Sequence, residues 1–219
     1  MQIDVPVAVD ALPTLAPTSD AASRALQDRG WQVVTGLRME HPAVPAPFPL
    51  PAREPDFALW LVSPDGFVWA GVPVTDDGPL VQLVSLLDNG AAVVTGFEDD
   101  LYMLERAWPE GGAYAETIDG EDLDALVAGH ADALAAASST EGAAPVAEAG
   151  AAGVIIARRV WARLSIQGAR MAGLRSLLPA KKRATDPRWI AGHARVPIAE
   201  LRQTPTVPCD VVGGFTPWQ

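Results

Sequence analysis

Eight bases and no acid lie between Arg158 and Arg183: Arg158, Arg159, Arg163, Arg170, Arg175, Lys181, Lys182 and Arg183. On a helix, Arg159, Arg163 and Arg170 share one face, and Val160, Leu164, Met171 and Leu178 share a neighbouring one. The small residues Ala157, Gly168, Ala169, Ala172 and Gly173 leave room for another backbone to approach. A basic amphipathic helix of this kind can dock on an acidic partner, lie on an anionic membrane, or track phosphates. It can equally pack on the chain's own acidic part and merely solvate its polar side.

Other candidate chemistry is thinner. Glu98-Asp99-Asp100 and the set Asp119, Glu121, Asp122, Asp124 could bind a hard cation, but the ligand order of an EF-hand is missing. The second set is better read as the dipole-favoured start of a helix. The three histidines, His41, His130 and His193, have no metal-site spacing, and a single cysteine, Cys209, builds neither a zinc site nor a disulfide. No metal or cofactor is therefore expected. His130 falls on an apolar helical stripe, where a hydrogen-bonded core histidine is expected. A Cys209–His193 nucleophile pair would need a geometry that spacing does not supply. No nucleophile elbow, Walker loop or dinucleotide fingerprint follows a strand, so the chain leans away from catalysis. Of the seven tryptophans, Trp161, Trp189 and Trp218 lie where little core is expected, which makes them candidate interface anchors, within the chain or between chains.

The chain has 219 residues, 49% of them hydrophobic, and a formal net charge of −11. That charge is divided. Residues 1–150 hold 24 acids and 5 bases, a balance of −19, while residues 151–219 hold 3 acids and 11 bases, a balance of +8. Such asymmetry points to a docking arm or to internal pairing. Nucleic acid is the weaker partner, because the acidic part repels phosphate. No uninterrupted apolar run is long enough to span a membrane, and Met1-Gln2-Ile3-Asp4 lacks the basic start of a signal peptide. A cytoplasmic location is expected, and the alanine- and arginine-rich composition suggests a GC-rich bacterial source.

The elements that position these groups are read from local chemistry. Residues 1–17 form an extended lead-in, Thr18-Ser19-Asp20 offer a cap, and a short helix runs from Ala21 to Arg29, stopped by Gly30. Trp31–Met39 is a strand, and six prolines make 41–55 a loop or polyproline-like arm. Strands at 57–62 and 67–72 flank Ser63-Pro64-Asp65-Gly66, a hairpin turn. Both faces of the first are apolar, which places it in a covered sheet. Residues 80–87 and 91–95 form a second hairpin about Asn89-Gly90, with a short helix over 80–87 as the competing reading. A short helix over 101–108 and a strand over 113–118 follow. A helix over 119–137 is capped by Asp119 and buries Leu123, Leu126, Val127, His130 and Leu134.

These elements predict an α+β fold: a mainly antiparallel sheet of about five to six strands with flanking helices, a C-terminal basic helix and an irregular proline-rich tail. Residues 1–136 form an acidic domain, 137–153 an Ala/Gly-rich linker, and 154–219 the basic helix (154–178) and tail. The element order resembles small scaffolds of chaperone-like and adaptor proteins. The expected role is non-catalytic binding or assembly, with the eight bases and Trp161, Trp189 and Trp218 as contacts to a protein partner or to a second copy. Peripheral membrane or nucleic-acid binding through the same helix, and hydrolysis, are the alternatives.

Overall fold

The computed structural model describes residues 5–41, 53–75, 81–97, 109–148, 150–158, 160, 161 and 164. They build a mixed α+β fold around one sheet of seven strands, in which sequence order is also spatial order. The strands are β1 (Val5–Val9), β2 (Gln32–His41), β3 (Arg53–Val62), β4 (Trp69–Pro73), β5 (Gln82–Leu86), β6 (Ala92–Phe97) and β7 (Ala113–Ile118). Every neighbouring pair is antiparallel except β6 and β7, which are parallel. The strand beyond the expected six is β1, hidden in the lead-in and paired across Gly36–Glu40. Parallel pairing at β7 requires a crossover rather than a hairpin; residues 98–108, where an acidic cluster and a short helix are expected, lie outside the described residues.

Both hairpins form. Ser63-Pro64-Asp65-Gly66 closes β3 on β4: the Gly66 amide donates to the Ser63 carbonyl at 2.9 Å, and Gly66 takes φ 80°, open to glycine at no steric cost. Asp65 Oδ1 fixes the turn by accepting from Ser63 Oγ and from the Phe67 amide. Residues 82–86 are strand, not helix, because Asn89-Gly90 reverses the chain and pairs Leu83–Leu86 with Ala92–Thr95. β3 starts earlier than the proline count allows: Pro55 lies within it, in the register irregularity opposite Met39–His41, where no ladder donor is needed.

The helix starts also differ from expectation. α1 spans Pro17–Asp28 with Ala16 at the cap position and no side-chain cap. Pro17 can open the helix because its missing N–H is one that the first turn leaves unpaired anyway. Ser19 and Ser23 consequently face inward and are buried. α2 spans Leu123–Glu141, and its cap is Asp122, whose carboxylate accepts from the Asp124 amide at 2.9 Å. Asp119 cannot serve, because Gly120 at φ 83° makes 119–121 a bend.

Strand alternation gives the sheet two apolar faces, and helices cover both. Trp60, Val62, Trp69, Val84, Leu86 and Val94 point to one face. Leu61, Ala70, Val72, Leu83 and Val93 point to the other, beneath Leu26 of α1 and Leu126 and Leu134 of α2. The first face is closed by a third helix, α3, helical at 151–158, 160, 161 and 164. It begins before the expected residue 154 and buries Val154, Ala157, Val160, Trp161 and Leu164. Removing a valine or leucine side chain such as Val154, Val160 or Leu164 from water contributes about 1.5–3 kcal/mol.

The Ala/Gly-rich stretch between α2 and α3 is tied to the sheet where it is described. Pro145 bridges Leu87, the Asp88 amide donates to Ala144, and the Val146 amide donates to Leu86 at 2.9 Å. Val146 itself is buried in the core under α3.

Candidate functional site

The most chemically organised cluster lies between α2 and the sheet. Alternation aims Ser85 of β5 and Thr95 of β6 toward the α2 face, and the helical stripe aims His130 down between them. His130 Nε2 is 2.8 Å from Ser85 Oγ, and Nδ1 is 2.8 Å from Thr95 Oγ1. All three residues are at most 1% exposed.

Hydrogen positions follow from one further bond. Ser85 Oγ donates to the Phe67 carbonyl at 2.8 Å, so its proton is committed there. Ser85 must then accept from His130 Nε2–H, which leaves Nδ1 as the acceptor for the Thr95 hydroxyl. The chain of donors therefore runs Thr95, His130, Ser85, Phe67, and every bond in it is satisfied. Burial pushes the imidazole from its ordinary value of 6.5 down to about 4, which keeps the ring neutral.

This arrangement places a serine and a histidine at the spacing of a nucleophile and its base. It lacks what such a pair needs. Ser85 Oγ points its proton at the Phe67 carbonyl rather than at the ring, Thr95 rather than a carboxylate meets Nδ1, and the hydroxyl is sealed from solvent. As folded, it is a buried polar clamp joining α2 to β5 and β6. The stripe predicted His130 as a hydrogen-bonded core residue, and that is its place. Sequence reasoning missed Ser85 and Thr95; the available signal was a polar residue at an inward position of an otherwise apolar strand.

A shallow groove of about 460 Å³ opens beside the clamp, between the β3–β4 turn and the outer side of α2. Phe67, Val68, Ala131, Leu134, Ala135 and Pro145 make it apolar. Two of its three polar lining residues serve the fold: Asp65 holds the turn, and Ser138 Oγ donates to the Ala143 carbonyl at 2.6 Å, with Ser139 beside it.

Of the predicted docking residues, two are described. Trp161 is 3% exposed and sits in the core with Trp60 and Trp69, so what it anchors is α3 to its own sheet. Arg158 donates to Gln82 Oε1 at 3.0 Å and lies over the Trp60 ring, 5.6 Å from its centroid. Arg159, Arg163, Arg170, Arg175, Lys181, Lys182, Arg183, Trp189 and Trp218 lie outside the described residues, as do His193, Cys209 and the tail. The acids at 119–124 divide their work: Asp122 caps α2, and Asp124 pairs at 2.7 Å with Arg29, the residue that follows the last turn of α1. That pairing holds the Asp124 carboxyl below its ordinary value.

Among the described residues no group of three His, Cys, Asp or Glu side chains could hold a metal ion, and no helix is long and apolar enough to cross a membrane. Compared with protein-family models, with curated proteins and with solved structures, the chain matches none.

Proposed function

We propose that the protein is a non-catalytic binding or assembly module, cytoplasmic and bacterial, whose basic C-terminal segment docks on an acidic protein surface. The supporting observation is how that segment is rooted. Val154, Ala157, Val160, Trp161 and Leu164 fix the start of α3 on the sheet, so the bases that follow are carried by a covered, acidic body. The docking set is Arg159, Arg163, Arg170, Arg175, Lys181, Lys182 and Arg183, with Trp189 and Trp218. Arg158 and Trp161 serve the fold instead. Opposite charge on the partner would speed and steer the encounter, which then weakens as salt rises.

The test compares the full chain with a variant in which Arg170, Arg175, Lys181, Lys182 and Arg183 are all replaced by Glu. Self-association is followed by sedimentation, and partners by affinity capture at two salt concentrations. Salt-sensitive association that the variant loses supports the reading. Identical capture by both chains overturns it. So does binding of the full chain to anionic vesicles or duplex DNA, which would make the partner a lipid surface or a phosphate backbone.

A further inference from the structure

We infer that the Ser85–His130–Thr95 clamp is an acid-sensitive latch: protonating His130 releases α2 from β5 and β6 and uncovers the apolar sheet face beneath it. The argument rests on how the ring is held. Both ring nitrogens meet hydroxyls only, and the donor chain has one direction, ending at the Phe67 carbonyl. A proton added at Nδ1 turns that acceptor into a donor facing the Thr95 hydroxyl, whose own proton then loses its acceptor. The new charge would sit in a site that is 1% exposed, and an unpaired buried charge is far costlier than a neutral polar group.

No described neighbour compensates it. β4, β5 and β6 carry no ionisable side chain. β7 contributes Tyr114 and an exposed Glu116, and the β3–β4 turn contributes an exposed Asp65. On α2 itself, Asp124 is tied to Arg29, Asp132 is exposed, and Glu141 accepts from Asn89 and Tyr114. α1 carries Asp20, paired with Arg24, and Asp28 beside Arg29. The cheaper route is for α2 to lift and give the ring to water. Lifting exposes Leu83 and Val93 of the sheet and Leu126 and Leu134 of the helix.

The sign follows from linkage. The folded ring titrates at about 4 and the released ring near its ordinary 6.5, so the closed form is favoured fully above 6.5 and loses ground as pH falls toward 4. The ratio of open to closed α2 should rise about tenfold from about pH 7.5 to about pH 5.5.

Amide hydrogen exchange on the full chain, corrected for the intrinsic pH dependence of exchange, reads that ratio. The expected result is a tenfold loss of protection over 123–141, with 151–158 unchanged. A variant carrying Ser85→Ala, Thr95→Val and His130→Leu together should show no such loss. Equal loss in wild type and variant, or loss spread evenly over all helices, overturns the latch. Because the variant's fold could itself be altered, the His130 ring is also titrated by NMR in the wild-type protein. A ring that takes up its proton near 6.5 while α2 stays protected overturns the inference as well.

Discussion

Arg158 holds its guanidinium 5.6 Å above the ring centroid of Trp60, a residue of β3 roughly a hundred positions earlier. The first base of the arginine-rich run is therefore a fold residue. Its second contact, to Gln82 of β5, spreads its grip over two strands of the sheet. Arg158→Ala should destabilise the chain by about 1–2 kcal/mol in urea unfolding, from the stacked cation and one hydrogen bond together. Arg158→Lys should recover only part, since an ammonium cannot stack and donate in the same plane.

Gly71 faces Trp60 across the β3–β4 ladder, and a Cβ there would lie 2.7 Å from Trp60 Cζ2. The indole fills the space that the glycine leaves. Gly71→Ala should cost about 1–3 kcal/mol by overpacking. Near-ultraviolet circular dichroism should report it too, because the ring must turn away from β4.

What was legible in the sequence was what local chemistry decides. Pro64-Asp65-Gly66 specifies its turn without help from the rest of the chain, and Asn89-Gly90 does the same for β5–β6. Val5–Val9 reads in sequence only as extended, because its partner is a stretch of β2 some thirty residues away and the segment itself holds Pro6. The direction of β7 was equally out of reach, since it depends on the crossover before it and not on residues 113–118. In the site, the stripe Leu126, His130, Leu134 gave the histidine its buried place. Its partners lie 45 and 35 positions away and emerged only once β5 and β6 were side by side. Trp161 shows the same limit: in a segment where little core is expected it reads as an anchor within the chain or between chains, and only the packing of α3 on the sheet decides for the first.

Trp161 now makes a sharp prediction. With 3% of its surface exposed among Trp60, Trp69 and Val84, its truncation leaves a large cavity. Trp161→Ala should cost about 3–5 kcal/mol by denaturant titration. A change in partner binding with unaltered stability would instead place this side chain at a surface.

The Arg29–Asp124 pair should behave in the opposite way. It joins the residue after the end of α1 to α2 at 2.7 Å, but the Asp124 side chain is 73% exposed. Water and salt screen such a pair, and two long side chains must be ordered to make it. Asp124→Asn should leave the urea midpoint within experimental scatter at physiological salt. Its lowered carboxyl pKa fixes the sign of any residual effect: present above the ordinary carboxylate range and lost as pH falls through it. Salt titration of wild type and variant checks both statements.

The buried clamp predicts that removing all three members costs less than the sum of removing each one alone. Thr95→Val leaves His130 Nδ1 as a sealed acceptor with no donor. Ser85→Ala removes the acceptor of Nε2–H and, with it, the donor to Phe67. Each single change should cost about 1–3 kcal/mol, the penalty of stranding a buried polar group. The combined Ser85→Ala, Thr95→Val and His130→Leu chain has no stranded ring, so at neutral pH it should be less destabilised than the sum of its parts. Unfolding free energies for the three singles and the triple decide this. Additivity would mean that the three side chains contribute separately, and that the directional chain from Thr95 to Phe67 does not act as a unit.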